Sequence, residues 1–263
     1  MKKYLDYARV GIKEHMVYPS AIWAKFFSKI IYLYLQFCLW SALFSSNSLK
    51  NPELRKDSTL RYIIIATIIS TVIECNIIER INAQIQTGNI ATDLIRPIGF
   101  KRMVFSKHLG DTFVKIAFYL VPLVVLVHIT MNVPLLNHKQ IGVGALSVIL
   151  AYCIQFLYSL VIGLLAFWLI VTWPINMLLG AVYKLLSGAW IPVSMFPDIL
   201  NEINLFLPFR AIYAIPVSIL TSQMEVTDIY SSIGIQIMWL VLLYILVEVV
   251  WYVGRKKLII QGG

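Results

Sequence analysis

The 44 residues from Gln140 to Tyr183 contain no Asp, Glu, Lys or Arg. No other stretch constrains the fold as strongly. As one helix the run would extend about 66 Å, at about 1.5 Å per residue. The hydrocarbon core of a bilayer is only about 30 Å thick, so the chain has to turn back once. Trp173-Pro174 with Asn176 is the natural place, since proline cannot donate into a helix and disfavours helical backbone in the residue before it. Two spans follow, at about Ile141 to Val171 and Ile175 to Val193. The 263 residues are 59% apolar and 13% charged, where a soluble domain averages roughly 45–50% and about 25%. The chain reads as an all-helical protein that crosses a membrane several times.

Four further apolar runs, at about 21–44, 60–78, 111–131 and 228–254, bring the expected count to six spans. Residues 3–18 place Tyr4, Leu5, Ala8, Ile12 and Met16 among Lys3, Arg9, Lys13 and Glu14. That pattern fits an interfacial amphipathic helix; the other reading is a frayed tail. The apolar run from Ala21 is too long for a signal-peptide core, so no cleavable signal is expected. From Ile191 to Leu220 the chain stays apolar but is cut by Pro192, Pro197, Pro208 and Pro216. Pieces of that length cannot cross and read as re-entrant.

The net charge of +9 sets the expected orientation. With both termini inside, the inner side holds Lys2, Lys3, Arg9, Lys13, Arg80, Arg96, Lys101, Arg102, Lys107, Arg255, Lys256 and Lys257. The outer side holds Lys50, Arg55, Lys56, Arg61, Lys139 and Arg210. The excess of Lys and Arg on one side favours cytoplasmic termini. No basic stretch interleaved with aromatics lies outside the apolar runs, which sets nucleic acid aside.

The longest polar interruption runs from Glu79 to Ile98. Ile81, Ile85, Ile90 and Leu94 recur along it, as in two short amphipathic pieces hinged at Gly88, and Arg96-Pro97 closes it. It is either an element lying across the inner surface and available for docking, or an ordinary loop between two spans.

No Gly-x-x-x-x-Gly-Lys-Ser/Thr, His-Glu-x-x-His or Gly-x-Ser-x-Gly occurs. The chain itself is expected to carry no catalytic site and no nucleotide-binding loop. Cys38, Cys75 and Cys153 each sit in an apolar run and read as inert thiols. His15, His108, His128 and His138 show no ligand spacing, so no metal site is expected. Charges inside spans are functional suspects by default. Lys184 is the sharpest, reading either as a contact to an anionic substrate or as a structural pair with Glu248 or a partner subunit. Glu74 reads as an anchor for the following element, and Lys29 and Lys115 as snorkelling residues.

Several of these segments resemble the ABC-2 type (type V) exporter permeases, bacterial membrane subunits often found as two related proteins beside one ATPase. The resemblance covers nearly the whole chain. Its carriers are Leu39-Trp40, Thr87-Gly88-Asn89-Ile90 with Asp93-Leu94-Ile95-Arg96-Pro97, Gly188-Ala189-Trp190-Ile191-Pro192, Met195-Phe196-Pro197 and Leu207-Pro208-Phe209. It implies an N-terminal amphipathic helix, a cytoplasmic coupling element at 79–98 and external re-entrant helices at 194–220. Glu79, Arg80, Gly88, Asp93, Arg96 and Pro97 would then belong to the coupling element. Trp190, Pro192, Pro197, Pro208, Phe209 and Pro216 would form an outer gate, and Lys184 and Glu248 are the candidates along the path. The resemblance further implies a bacterial inner-membrane location, a second permease, same or related, and two copies of an ABC ATPase that binds ATP and Mg. The implied activity is export of a hydrophobic or amphipathic molecule such as a drug, antibiotic, lipid or peptide. The rival readings are a secondary carrier or channel, for which an inverted repeat would be expected, and a membrane-embedded lipid-modifying enzyme, for which clustered His, Asp or Glu would be expected.

Overall fold

Inside hydrocarbon every backbone N–H and C=O must find its partner within the protein, and a helix achieves this within a single segment. The computed structural model describes residues 2–45, 56–96, 98–131, 140–169 and 173–257, and among these the regular structure is entirely helical. The chain opens with α1 (Lys2–Met16), followed by α2 (Pro19–Ser45), α3 (Lys56–Ile73), α4 (Ile77–Gln86) and α5 (Ile90–Ile95). Next, α6 (Phe100–Lys115) passes through one π-helical turn into α7 (Val121–Met131). Beyond these lie α8 (Ile141–Leu164), α9 (Trp173–Leu186), the short α10 (Asp198–Leu205), α11 (Phe209–Ile212) and α12 (Ala214–Leu220), and finally α13 (Val226–Gly254).

Among the described residues, five helical stretches are long and apolar enough to cross a bilayer: Pro19–Ser45, Lys56–Gln86, Phe100–Thr130, Ile141–Phe167 and Val226–Lys257. The expected fifth of six spans is shorter than the sequence suggests. It was expected to reach Val193, but α9 stops at Leu186 after 14 residues, roughly 21 Å of helix. The cause is local. Gly188 adopts φ +85°, which L side chains rarely tolerate, and the carbonyl of Ser187 turns to accept the amide of Ala214 at 3.1 Å. A Cβ at 188 would also lie 2.6 Å from the Tyr62 hydroxyl. The third long helix, by contrast, begins at Phe100 and not at Asp111, because its first turns pack on α1.

Burial sorts the helices. Over their most apolar windows α3 is 67% and α8 56% buried, whereas α2 is 11% and α13 17% buried. The core therefore runs along α3 and α8, and α2 touches it through a narrow stripe that includes Leu33 and Trp40. The bundle has two distinct ends. At one, α4 packs on the last turns of α8, where Ile81 lies against Gly163, and Phe100 of α6 stacks on Trp251 of α13 at 4.8 Å. Both described chain ends lie here, with Arg102 over Tyr4 and Lys257 over Trp168. At the other end, α12 covers the first turns of α8, with Leu220 against Gly144.

Candidate coupling and translocation sites

The element after α3 is a helical hairpin with a defined inner and outer side. The Thr87 amide closes α4 on the Ala83 carbonyl at 3.0 Å, and the Gly88 amide reaches the Ile85 carbonyl at 3.2 Å. Gly88 itself sits at φ +73°, the left-handed conformation that ends many helices and suits glycine. Ile77, Ile81 and Ile90 are buried in one cluster with Phe156, Leu160 and Leu164 of α8. Leu94, spaced as if to extend that row, is instead 38% exposed, and Ile95 is 85% exposed. The turn at Gly88 resets the helical phase, so the apolar spacing does not carry through into α5. The result is a hairpin tied to the core by three isoleucines, with apolar side chains exposed at the end of α5.

Its polar residues hold the base. Asp93 is buried, accepts from Gln84 Nε2 at 3.0 Å and pairs with Arg96 Nε at 3.5 Å. Arg96 Nη1 donates to the Tyr7 hydroxyl of α1 at 3.1 Å. Arg80 pairs with Glu14 at 2.9 Å and with Asp111 at 3.8 Å. Glu79 is exposed on α4, and Pro97 lies outside the described residues. Glu14, absent from the sequence-based candidates, is the node of this end, since it also pairs with Lys107 of α6 at 3.0 Å. These bonds join α1, α4 and α6 into one body.

Two glycines let that body close up. A Cβ on Gly11 would stand 2.3 Å from the Lys107 carbonyl oxygen, and one on Gly110 would stand 2.0 Å from that of Ala8. Backbone meets backbone at this crossing, so α1 is seated on α6 as well as being amphipathic. His15 ends the helix edge-on to Tyr119, 6.5 Å between ring centroids. Burial pushes its imidazole pKa below the ordinary value, and the Lys25, Lys115 and Arg80 cations act in the same direction.

Between α3 and α4 the helix is broken at Glu74-Cys75-Asn76. A helix end leaves carbonyls without intrahelical partners, which is costly at membrane depth. Lys115 answers that cost: it is 5% exposed and its ammonium donates to the Glu74 carbonyl oxygen. The expected snorkelling role for Lys115 is therefore corrected. The Glu74 carboxylate is taken by Lys29 of α2 at 2.7 Å. The break lines an open cavity of about 580 Å³ bordered by α2, α3, α4, α8 and α9 and by Ala189, Trp190 and Tyr213. Lys29, Glu74, Glu79, Gln155, Tyr158, Lys184 and Trp190 contribute to its wall, and Lys184 lies 5.9 Å from the centre of the Trp190 ring. The sequence left open a pair between Lys184 and Glu248. The structure excludes it, because Glu248 pairs with Lys101 at the basic end.

The proline-cut segment is packed into the bundle through much of its length. Pro192, Pro208, Phe209 and Pro216 are buried, whereas Pro197 and Trp190 are exposed, Trp190 at the mouth of the cavity. Neutral groups hold its turns. Tyr62 donates to the Gly188 carbonyl at 3.1 Å and Asn204 to that of Leu186 at 2.8 Å. Gln236 of α13, fully buried, donates to the carbonyls of Ala211 at 2.8 Å and Ser147 at 3.1 Å.

A family model described as ABC-2 family transporter protein matches residues 30–262. The chain belongs to the ABC-2 transporter family. No curated protein matches it. An ABC-2 transporter subunit of this kind is a membrane component of a transport system, and its family generally works with an ATPase subunit. The matched range begins within α2, so α1 lies outside it, while the α6 surface on which α1 sits lies inside. Sequence reasoning also missed Gln155 and Gln236. Their signal was available: a glutamine in an otherwise apolar span has to find a partner or a polar space.

Proposed function

We propose that this chain is the permease subunit of an ATP-driven exporter in a bacterial inner membrane. It works beside a second permease, same or related, with both termini in the cytoplasm. Two copies of a separate ATPase, which bind the ATP and Mg, dock under α4–α5. The observation that carries this reading is the hairpin itself. Its Ile77, Ile81 and Ile90 are locked into the bundle, while Leu94 and Ile95 are held out at the basic end. Apolar side chains held out in that way beside the anchored base of the hairpin suit docking to a protein partner. The same helix pair continues through the Glu74–Asn76 break into the cavity wall. A displacement of α4 by the ATPase is thus passed to Glu74 and its Lys29 and Lys115 partners. The cavity, whose wall mixes apolar and aromatic side chains with hydroxyls, amides and four charged groups, suits an amphipathic cargo. The proline-cut segment at the opposite end would form the outer gate.

The test is affinity purification of the tagged chain from its native membrane in mild detergent, with mass spectrometry of what accompanies it. Recovery of a nucleotide-binding ATPase is expected, and its loss with Ile95→Asp. Recovery of the chain alone, with no ATP-dependent transport in liposomes, would remove the reading.

A further inference from the structure

Resting on the exporter reading, we infer that the cavity between α2, α3, α8 and α9 is the cargo site, and that it selects amphiphiles carrying an anionic head group through Lys184. The charges around it are unevenly matched. Glu74 is engaged by Lys29 at 2.7 Å and by Lys115 through its carbonyl. The other acid on the wall, Glu79, lies beyond the helix break on exposed α4 surface. Among the described residues no carboxylate lies within ion-pair distance of Lys184, whose neighbour is the face of Trp190. A cation placed against an indole and open to a cavity at membrane depth is ready to receive an anion.

Unused polar groups point the same way. Gln155 is 5% exposed and its Oε1 has no hydrogen-bond partner, although its amide nitrogen donates to Ser159 at 3.2 Å. The Tyr158 hydroxyl, also on the wall, has none either. Buried groups of this kind normally have partners, and a ligand head group can supply them: an anion accepts from Tyr158 and Lys184, and a hydroxyl or amide on it donates to Gln155. The tail has room too. The wall includes Ala66, Ile78, Ile162, Gly180 and Ala189, and a Cβ on Gly180 would meet nothing within 4 Å. A volume of about 580 Å³ matches one single-chain amphiphile.

The experiment uses the full chain alone in phosphatidylcholine nanodiscs, without ATPase or nucleotide, so the coupling reading can fail without affecting it, and the converse also holds. Dibromostearate is titrated in, and its quenching of Trp190 is read as the difference between the wild type and Trp190→Phe. Saturable quenching is expected. Affinity should fall roughly tenfold or more in Lys184→Met, on the scale of one lost charge-assisted contact, and should recover in Lys184→Arg. The uncharged dibromostearyl alcohol should bind the wild type more weakly by a similar factor. Gly180→Leu, whose Cβ would meet nothing within 4 Å and whose branch would take up space at the wall, should abolish saturation. Equal binding of acid and alcohol, or unchanged binding in Lys184→Met, would overturn the proposal. So would strong competition when phosphatidylglycerol replaces part of the phosphatidylcholine, because the site would then belong to bilayer lipid.

Discussion

At the basic end, the break at Glu74–Asn76 and the seat of α1 are held by charge. Lys115 caps a carbonyl, Lys29 takes the Glu74 carboxylate, and Glu14 receives both Arg80 and Lys107. At the opposite end, the turns from Ser187 to Ala214 are held by neutral donors such as Tyr62, Asn204 and Gln236. Around them Ile212, Val217 and Ile219 are fully buried. Ion pairs near water are weak singly and respond to salt and pH, whereas buried neutral bonds and packed side chains do not. The difference teaches where motion can enter: one end is adjustable, and the other is set by packing.

The largest expected effect comes from breaking each end at its closest approach. Gly188→Val puts a branched side chain at φ +85° and against Tyr62. Strain of this kind costs about 1–3 kcal/mol, and the thermal unfolding midpoint in detergent should fall. Gly110→Leu should instead free α1, with proteolysis within residues 2–16 rising while the midpoint of the bundle moves less. If both variants lower the midpoint equally, the two ends are not distinct.

Next in size is Gln236→Leu, which leaves the Ala211 and Ser147 carbonyls without their donor. The expected loss is about 1–3 kcal/mol, and it should be the same at low and high salt. A smaller loss, below about 1 kcal/mol for partly exposed pairs, is expected for Glu14→Gln, read as α1 release, and it should vanish in high salt.

The smallest effect concerns His15. Its folded pKa lies below the ordinary value near 6.5, so the folded state binds fewer protons than the unfolded one. Seating of α1 should therefore be complete above about pH 6.5 and weaken as the pH falls below it. His15→Gln should flatten that slope, and an unchanged slope would place the sensitivity on another group.

Much of this was legible in the sequence. The uncharged run to Lys184 is too long for one span and is divided into α8 and α9, and Gly88 between Ile81/Ile85 and Ile90/Leu94 marks a hinge, because both depend on spacing within one segment. Lys115 was not legible. Its burial follows from a helix break some forty residues earlier in the chain, which only the packed structure brings beside it. The early end of α9 likewise depends on Tyr62, from a different helix, filling the space at Gly188. Which apolar residues of α5 face out was not legible, because the hinge at Gly88 resets the phase and leaves Leu94 and Ile95 exposed while Ile90 is buried. Glu248 sits in an apolar run by sequence, yet Lys101 meets it from a separate helix at the basic end.

The central claim is that the exposed end of α5 meets an ATPase. The most direct measurement replaces Ile95 with a photo-crosslinking phenylalanine in cells and identifies what it captures on irradiation. The account predicts a crosslink to a nucleotide-binding ATPase, strong at position 95 and absent at buried position 81. Capture of lipid alone at position 95, with the ATPase crosslinking elsewhere on the chain, would contradict it.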